Sequence, residues 1–215
     1  MSEDIVDSGN VLVRVVETCG TDKSIAIQAG ICFGSDNSSE EKTDRVIKHL
    51  IERDHLSPFE FGRMIFEIHC PIFVSRQIMR HRTANYIEKS LRYTGNPVQS
   101  SLPLLTNGID EVQSKTAVEM FNYVTKTSIE VYNGLVKLGV KKEEARRVLP
   151  LNTQTEFYMG IDLRNLFNLF EQRLSESAQV ETRNIVKQMA KWTEFFFPLT
   201  MKYWSQQHER LSYRD

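Results

Sequence analysis

The sequence predicts one α+β domain that is rich in helix. A chain of 215 residues, 40% hydrophobic and 26% charged, has the composition of a globular protein and is long enough for one sizeable core. Strand-like runs are few and lie in the first third of the chain, whereas apolar residues recur at helical spacing over most of the remainder. No internal repeat, low-complexity tract or composition shift marks a linker, so we predict a single domain over residues 1–215.

The first predicted elements are a strand and two helices. Val11 to Val16 is a β-branched run that predicts a strand, and a helix is expected from Ser24 to Ala29. Ser38, with Glu41 three residues later, fits a capping box at the start of an amphipathic helix. The apolar positions of that helix are Val46, Ile47, Leu50 and Ile51.

A second strand and a further helix follow. Polar and apolar residues alternate from Arg63 to Cys70, which predicts a strand with one buried face. Pro71 ends that strand and suits the first turn of a helix that continues to Arg80. Thr94 to Gly108 holds the densest cluster of turn residues in the chain and is predicted to be a long loop.

The second half of the chain is predicted to be helical. One helix extends from Asp110 to about Leu138, where Gly139 suits its end, and another from Lys141 to Leu149. Asp162 can cap a helix whose apolar residues repeat at i, i+3, i+4 and i+7 as far as Leu174. A last helix is expected to carry Ile185 to Phe196.

Charge and cysteine usage exclude several classes of protein. The chain has 27 Lys and Arg against 28 Asp and Glu, so we expect no general attraction to nucleic acid or to a membrane surface. No apolar stretch approaches the ~18 residues that a membrane span requires. Three widely spaced cysteines do not suggest a disulfide framework, and they predict a reducing, cytoplasmic location.

Common cofactor and metal motifs are absent from the sequence. There is no glycine-rich dinucleotide or P-loop motif, and none of the five histidines pairs with another His or a Cys at zinc-ligand spacing. We therefore predict no metal site. Cys70 lies on the apolar face of its predicted strand and is interpreted as a buried structural residue.

Positive charge is concentrated between Arg76 and Arg92. If the predicted helix continues to Arg80, Arg76 and Arg80 lie on one face, where like charges repel. Guanidinium groups form bidentate bonds to phosphate, so this crowding favours an anion site. A solvated basic face, or a surface for an RNA backbone, is the alternative. The cationic residues are Arg76, Arg80, His81, Arg82 and Arg92.

One pattern in this segment is more specific than its charge. Arg80-His81-Arg82 is followed after seven residues by Ser90 and then by Leu91-Arg92-Tyr93. This order resembles the signature of flavin-dependent thymidylate synthases. Further blocks occur in the order of that family, namely His55 with Ser57-Pro58-Phe59-Glu60, Pro71 to Gln77, Ala145 to Leu151, and Arg164-Asn165-Leu166.

The resemblance implies a fold, an assembly and a reaction. The fold has a central, mostly antiparallel sheet with helices around it, and the assembly is a homotetramer that builds each active site from several subunits. The reaction makes dTMP from dUMP with FAD, methylenetetrahydrofolate and NADPH, and no protein cysteine attacks the uracil. The lack of an evident nucleophilic cysteine in this sequence agrees with that chemistry.

Residues that match family positions fall in two groups. By resemblance, the FAD contacts would be His55, Ser57, Arg80, His81, Arg82, Glu88, Asp162, Leu163, Arg164 and Asn168. The dUMP contacts would be Gln77, Ile78, Met79, Arg80, Glu88, Lys89, Ser90, Leu91, Arg92, Arg146 and Arg173. A pyrophosphate without a glycine-rich loop needs cationic side chains instead. Ser90 is interpreted as a hydrogen-bonding ligand, because the sequence places no partner to deprotonate it.

Arg173 is predicted to be the catalytic residue. At ~100° per residue it lies beside Leu166 and Phe170, at the edge of the apolar stripe of its helix. By resemblance its guanidinium faces the pyrimidine and assists ionisation at N3 by stabilising the developing anion. The alternative is a snorkelling side chain at a helix C-terminus, where a cation is favourable in any case.

Two positions depart from the family pattern. Ser177 stands where many members have His, and Asp162 stands where Asn is common. Both differences would change the surroundings of a flavin. A flavoprotein of this fold that has lost methyl transfer, or a dUMP-binding remnant, is therefore one alternative. A nucleic-acid-binding module that uses the basic segment and its tyrosines is another, although the near-neutral net charge weakens it.

Overall fold

The computed structural model of the chain describes residues 11–31, 34–35, 39–93, 110–211 and 213. The predicted loop from Thr94 to Gly108 and the predicted cap Ser38 lie outside these residues. The elements in chain order are β1 Leu12–Cys19, α1 Asp22–Gly30, α2 Glu40–Glu52, β2 Arg63–Pro71, α3 Ile72–Ile78, β3 Asn85–Glu88, α4 Glu111–Lys137, α5 Lys142–Ala145, β4 Gln154–Asp162, α6 Leu163–Arg173, α7 Val180–Phe196 and α8 Pro198–Gln207. Two 3₁₀ turns, Ser57–Phe61 and Arg146–Val148, complete the list.

The four strands form one sheet in the order β1-β2-β4-β3, and every pairing is antiparallel. This confirms the predicted helix-rich α+β fold with a central antiparallel sheet. The two central strands, β2 and β4, alternate buried and half-buried residues, as a sheet with one covered face requires. Phe66, Ile68, Phe157 and Met159 are among the residues on the covered face.

Helices cover that face and enclose the core. α7 packs against β1, where Trp192 Nε1 donates to the Val13 carbonyl at 3.0 Å. α8 begins against α1, and the buried Asp22 carboxylate accepts bonds from Leu199 N, Thr200 N and Thr200 Oγ1 at 2.6–3.1 Å. Asp22 therefore caps α8 from a distant part of the chain. Burial raises the pKa of its carboxyl, and the hydrogen bonds offset part of that effect.

Several sequence predictions need correction. The N-cap of α2 is Ser39, whose hydroxyl accepts a bond from Lys42 N. Helix α3 ends at Ile78, so Arg80 lies beyond it and does not share a helix face with Arg76. The Tyr86 hydroxyl lies 2.7 Å from the His81 carbonyl and 3.2 Å from the Ile78 carbonyl, which stabilises a turn where the helix was expected to continue.

Two strands were not predicted. β4 joins β2 to β3 at the centre of the sheet, and its buried residues Thr155, Phe157, Met159 and Ile161 do alternate in the sequence. β3 has only four residues, within the charged motif, and gives no such pattern. The helix expected from Lys141 to Leu149 is the short α5 followed by a 3₁₀ turn.

Helix α4 differs from the others in its exposure. Tyr132 is the single buried residue of its 27, and the helix contacts α5 and the Arg146–Val148 turn. Its exposed apolar residues include Val112, Met120, Phe121, Tyr123, Val124 and Val131. Among the described helices none is both long and apolar enough to cross a membrane.

Candidate functional site

The Arg80-His81-Arg82 motif forms the turn between α3 and β3. His81 N donates to the Ile78 carbonyl at 3.0 Å, and the Tyr86 hydroxyl contacts the His81 carbonyl, so the turn is tied at both ends. Arg80 and Arg82 are exposed on either side of the buried His81. The motif thus presents two cations to solvent from a turn with a fixed backbone.

His81 connects this turn to helix α6. Burial lowers the pKa of its imidazole, and the Arg173 guanidinium lowers it further, whereas a hydrogen bond with the Asn165 backbone and the Asp162 charge act in the opposite direction. The ring Nε2 lies 2.9 Å from Thr83 Oγ1. A neutral imidazole held in this way joins residues from both ends of α6 to the motif.

Arg173 is the last residue of α6 and is partly buried. Its Nε is buried and has no hydrogen-bond partner within the described part of the chain. A buried guanidinium donor without an acceptor is costly, so this position suits an acceptor that a ligand brings. A snorkelling side chain also buries Nε and places its terminal nitrogens in water, so the snorkelling alternative remains a second interpretation of this position.

The beginning of α6 is linked to the Ser57–Phe61 turn. Arg164 Nη1 donates to Glu60 Oε1, and Leu163 N donates to the Gly62 carbonyl at 2.9 Å. A Cβ at Gly62 would lie 2.6 Å from Leu163 Cδ1, so a larger residue here would have to displace the Leu163 side chain. Two predicted flavin-contact residues, Leu163 and Arg164, therefore lie against the turn that begins at the predicted contact Ser57, and Leu163 is fully buried.

Asp162 is engaged within α6. Its two carboxylate oxygens accept bonds from Asn165 N at 2.9 Å and from Asn165 Nδ2 at 2.7 Å. Asp162 is therefore the N-cap of α6, as predicted. The negative charge that distinguishes this chain from the family pattern serves the helix terminus, where it is favourable.

Residues at the end of β3 and directly after it make a second polar group. The Glu88 carboxylate accepts a bond from Thr155 Oγ1 at 2.8 Å, and Ser75 Oγ lies 3.4 Å from the same oxygen but only 3.0 Å from the Ile72 carbonyl. Lys89 Nζ lies 3.1 Å from Glu156 Oε2, and Lys89 N donates to the Glu156 carbonyl at 2.9 Å. Strand β4 thus supplies partners to two consecutive motif residues.

Arg92 and Arg146 meet at one acidic residue. Arg92 Nη2 lies 3.0 Å from Glu143 Oε2, and Arg146 Nε donates to the Glu143 carbonyl at 3.3 Å. Arg92 thus bonds the side chain of Glu143 and Arg146 its backbone, so two arginines from distant segments contact the same residue. Ser90 Oγ accepts a bond from Arg92 N at 3.3 Å, so its hydroxyl helps to shape this turn.

The remaining predicted dUMP contacts have fewer side-chain groups available for a ligand. The Gln77 side chain donates to Gln179 and accepts from Thr182 Oγ1, so its amide already joins α3 to α7. The Ile78 side chain is fully buried, which leaves only its backbone for a ligand. Met79 and Leu91 are half-buried. Ser177 is exposed, and its Oγ lies 3.0 Å from Ser175 Oγ.

Glu67, His69 and Glu156 form a group that sequence spacing did not reveal. One possible ligand atom from each lies within 4.8 Å of the others, since β2 and β4 place His69 directly opposite Glu156. His69 Nε2 is 2.6 Å from Glu67 Oε1, and Glu156 is paired with Lys89. Both carboxylates thus have a partner of their own.

The sequence analysis missed the partners that hold the predicted residues. Glu60, Tyr86, Glu143, Thr155 and Glu156 contact Arg164, His81, Arg92, Glu88 and Lys89 respectively. Glu60 lies in a family block and could have been selected from it. Thr155 and Glu156 carry no such signal, because their pairing depends on the register of the folded sheet.

Comparison with known proteins gives one family. The family described as thymidylate synthase complementing protein matches residues 14–199. A flavin-dependent thymidylate synthase of Thermotoga neapolitana is 34% identical over 188 residues, which cover 87% of this chain and 86% of the relative. One of Thermus thermophilus is 32% identical over 212 residues, with 91% and 75% covered.

Solved structures share the fold. The UMP/dUMP methylase PolB from Streptomyces cacaoi, bound with 5-Br dUMP, superposes with a TM-score of 0.81 at 23% identity. The match covers 92% of this chain and 95% of PolB. At this level of identity the likeness establishes the architecture of the chain alone.

Proposed function

The chain belongs to the family of thymidylate synthase complementing proteins, and from that premise we propose that it is a flavin-dependent thymidylate synthase that converts dUMP to dTMP. The observation that carries the proposal is the buried Arg173 Nε without an acceptor, next to His81 of the Arg-His-Arg motif. In this proposal the uracil supplies the missing acceptor. A guanidinium fixed before binding stabilises negative charge as it develops on the pyrimidine.

The described residues fit a flavin cofactor. FAD carries a pyrophosphate, and the exposed Arg80, Arg82 and Arg164 offer cations for it without a glycine-rich loop. His55, Ser57, His81, Glu88, Asp162, Leu163 and Asn168 complete the proposed set. When bound and reduced by NADPH, the flavin supplies the hydride that completes the methyl group, and methylenetetrahydrofolate supplies the carbon.

The nucleotide phosphate is assigned to Arg92 and Arg146. Arg92 bonds the Glu143 carboxylate and Arg146 the Glu143 carbonyl, and each guanidinium group keeps further donors for a phosphate. A bound phosphate monoester would compete with that carboxylate for Arg92. Gln77, Ile78, Met79, Glu88, Lys89, Ser90 and Leu91 complete the proposed dUMP set, with Gln77 and Lys89 held by partners within the chain.

The protein in this proposal needs no cysteine nucleophile. Cys70 is fully buried on β2, and burial together with the nearby Glu88 raises the pKa of its thiol far above its ordinary value. Cys19 is exposed on β1, and Cys32 lies outside the described residues. A thiol that remains protonated inside the core cannot attack the uracil.

We further propose a homotetramer. Helix α4 exposes apolar side chains over much of its length, and Met120, Val124, Val131 and Leu138 lie on one face of it. A large exposed apolar surface indicates contact with another molecule. Identical subunits are the partner that the relationship suggests, with active sites shared between them.

One alternative rests on a specific observation. Ser177 replaces a family histidine and is engaged with Ser175, so the flavin environment differs from the usual pattern. A protein that binds flavin or dUMP without methyl transfer is therefore the second candidate. It predicts a flavin spectrum and dUMP binding without turnover.

The test uses the purified full chain. We expect flavin absorbance in the visible spectrum and tritium release from 5-tritiated dUMP that requires both NADPH and methylenetetrahydrofolate. Reactions that lack one of the two are the controls. Flavin absorbance without tritium release would support the second candidate. A colourless protein that cannot be loaded with FAD, and that binds oligonucleotides with a steep salt dependence, would contradict both.

A further inference from the structure

We propose that Thr155 is a positioning residue that holds the Glu88 carboxylate in place for the nucleotide. The proposal rests on the function proposed above, in which Glu88 contacts the ligand. Thr155 Oγ1 donates to Glu88 Oε1 at 2.8 Å, whereas Ser75 Oγ lies 3.4 Å from the same oxygen and donates its one hydrogen to the nearer Ile72 carbonyl at 3.0 Å. Both hydroxyl residues are buried, with 8% and 2% of their surface exposed, while Glu88 is exposed.

The arrangement follows from the register of the sheet. Glu88 is paired with Phe157 across β3 and β4, and Thr155 is two residues away on the same face of β4. Such diagonal neighbours are within reach of a long side chain. Strand β4 therefore supplies the hydroxyl donor to a carboxylate that β3 carries.

The contacts use only one side of the carboxylate. Within the described residues, the Thr155 hydroxyl donates to Oε1 and no hydrogen-bond donor lies against Oε2. A carboxylate has two oxygens and can accept about four hydrogen bonds. Oε2 is therefore available for a donor of the bound nucleotide, while Thr155 holds the group through Oε1.

The backbone at this position is fixed as well. Lys89 N donates to the Glu156 carbonyl at 2.9 Å, and Lys89 Nζ pairs with the Glu156 side chain on the opposite face of the sheet. Glu88 is thus restrained through its main chain and through Oε1. A side chain ordered before binding loses less conformational freedom when the ligand arrives, which favours affinity.

The first experiment removes the Thr155 hydroxyl. Thr155→Val keeps the branched shape, and Thr155→Ala is a smaller truncation that serves if the valine variant does not fold. Loss of the hydrogen bond to the Glu88 carboxylate is expected to weaken dUMP binding about 3- to 10-fold by calorimetry. Thr155→Ser restores a hydroxyl and should recover most of the affinity.

A matched control separates positioning from general stability. Thr193 is also a buried threonine, but its Oγ1 donates to the Met189 carbonyl within α7 at 2.8 Å. Thr193→Val should change the melting temperature without changing the dissociation constant for dUMP. Equal weakening of dUMP binding by Thr193→Val and Thr155→Val would overturn the proposal.

The decisive measurement is a double-mutant cycle with Glu88→Ala. If Thr155 acts through Glu88, Thr155→Val weakens dUMP binding in the wild-type background and has no further effect when Glu88 is absent. Additive effects would overturn the positioning role. A third outcome would overturn this inference and leave the proposed function intact. In it, the wild-type protein binds dUMP and Glu88→Ala weakens that binding, but Thr155→Val leaves it unchanged. A wild-type protein that does not bind dUMP overturns both this inference and the proposed function.

Discussion

Helices α6 and α4 use their apolar side chains in different ways. Five of the eleven residues of α6 are buried, and Leu166 and Phe170 lie in the core that covers the sheet. Only one of the 27 residues of α4 is buried. α6 is therefore stabilised by its own chain, whereas the described part of the chain leaves most of the apolar surface of α4 uncovered.

The proposed site requires arginines held in fixed positions and a contact between subunits, and the two helices meet these requirements separately. Arg164 and Arg173 stand on a helix that tertiary packing holds in place, so their positions are set within one subunit. α4 has the composition of a helix that needs another surface. The comparison therefore predicts that changes on α6 alter chemistry and folding, while changes on α4 alter assembly.

The largest expected effect is on turnover. Arg173→Ala should lower tritium release from dUMP by about 100-fold or more, since removing one fixed donor to a developing anion costs that much in other enzymes. Circular dichroism and flavin content should remain those of the wild type. Arg45→Ala, an exposed arginine on α2, is the control. Wild-type turnover in the Arg173 variant would remove its catalytic role.

The next effect concerns the stability of α6. Leu166 is fully buried, so Leu166→Ala should lower the free energy of unfolding by about 2–5 kcal/mol. Because this cost arises within one subunit, it should appear at every protein concentration in urea unfolding. A loss of less than about 0.5 kcal/mol would show that α6 is not held by the core as described.

A charged residue on α4 tests the other half of the comparison. Val124→Glu places a carboxylate on the exposed apolar face, and sedimentation should show a smaller assembly than for the wild type. Lys126→Glu introduces the same group about 200° away around the helix and should leave the assembly unchanged. Identical sedimentation of both variants and the wild type would exclude this face from the subunit contact.

The smallest effect is a change in titration. His81 has a pKa below its ordinary 6.5 through burial and through Arg173, so the unfolded chain binds the proton more tightly than the folded one. His81 therefore contributes stability above pH 6.5, and this is lost as the pH falls through its lowered pKa. Arg173→Ala should raise that pKa in an NMR titration, whereas Arg45→Ala should not. An unchanged value in Arg173→Ala would place Arg173 away from His81.

Much of the fold could be predicted because its signals are local. The helix-forming positions of α2, α4, α6 and α7 repeat within one or two turns, and the Asp162 cap acts over three residues. The first two strands show local runs or alternation. β4 was not predicted, even though its buried and half-buried residues alternate. β3 was not predicted because four residues within a charged motif give no periodicity.

The candidate site was predictable as a set of residues but not as a geometry. The motif and the family blocks selected Arg80, His81, Glu88, Arg146 and Arg173 from their order in the sequence alone. The sequence could not indicate that Gln77 is engaged with Gln179, or that α3 ends before Arg80. The first depends on a contact between residues 102 positions apart, and the second on the Tyr86 hydroxyl, whose contacts with the turn carry no periodic signal in the sequence.

The sequence by itself determined which segments are amphipathic, which residues carry charge, and which family pattern they follow. Tertiary structure decided which of these residues meet. Glu88 and Thr155 are 67 positions apart and are joined by the register of β3 and β4, while His81 hydrogen-bonds the Asn165 backbone of α6 and lies within the electrostatic influence of Arg173. Periodicity arises between neighbours in the chain, whereas such contacts form only when distant segments close upon a common core.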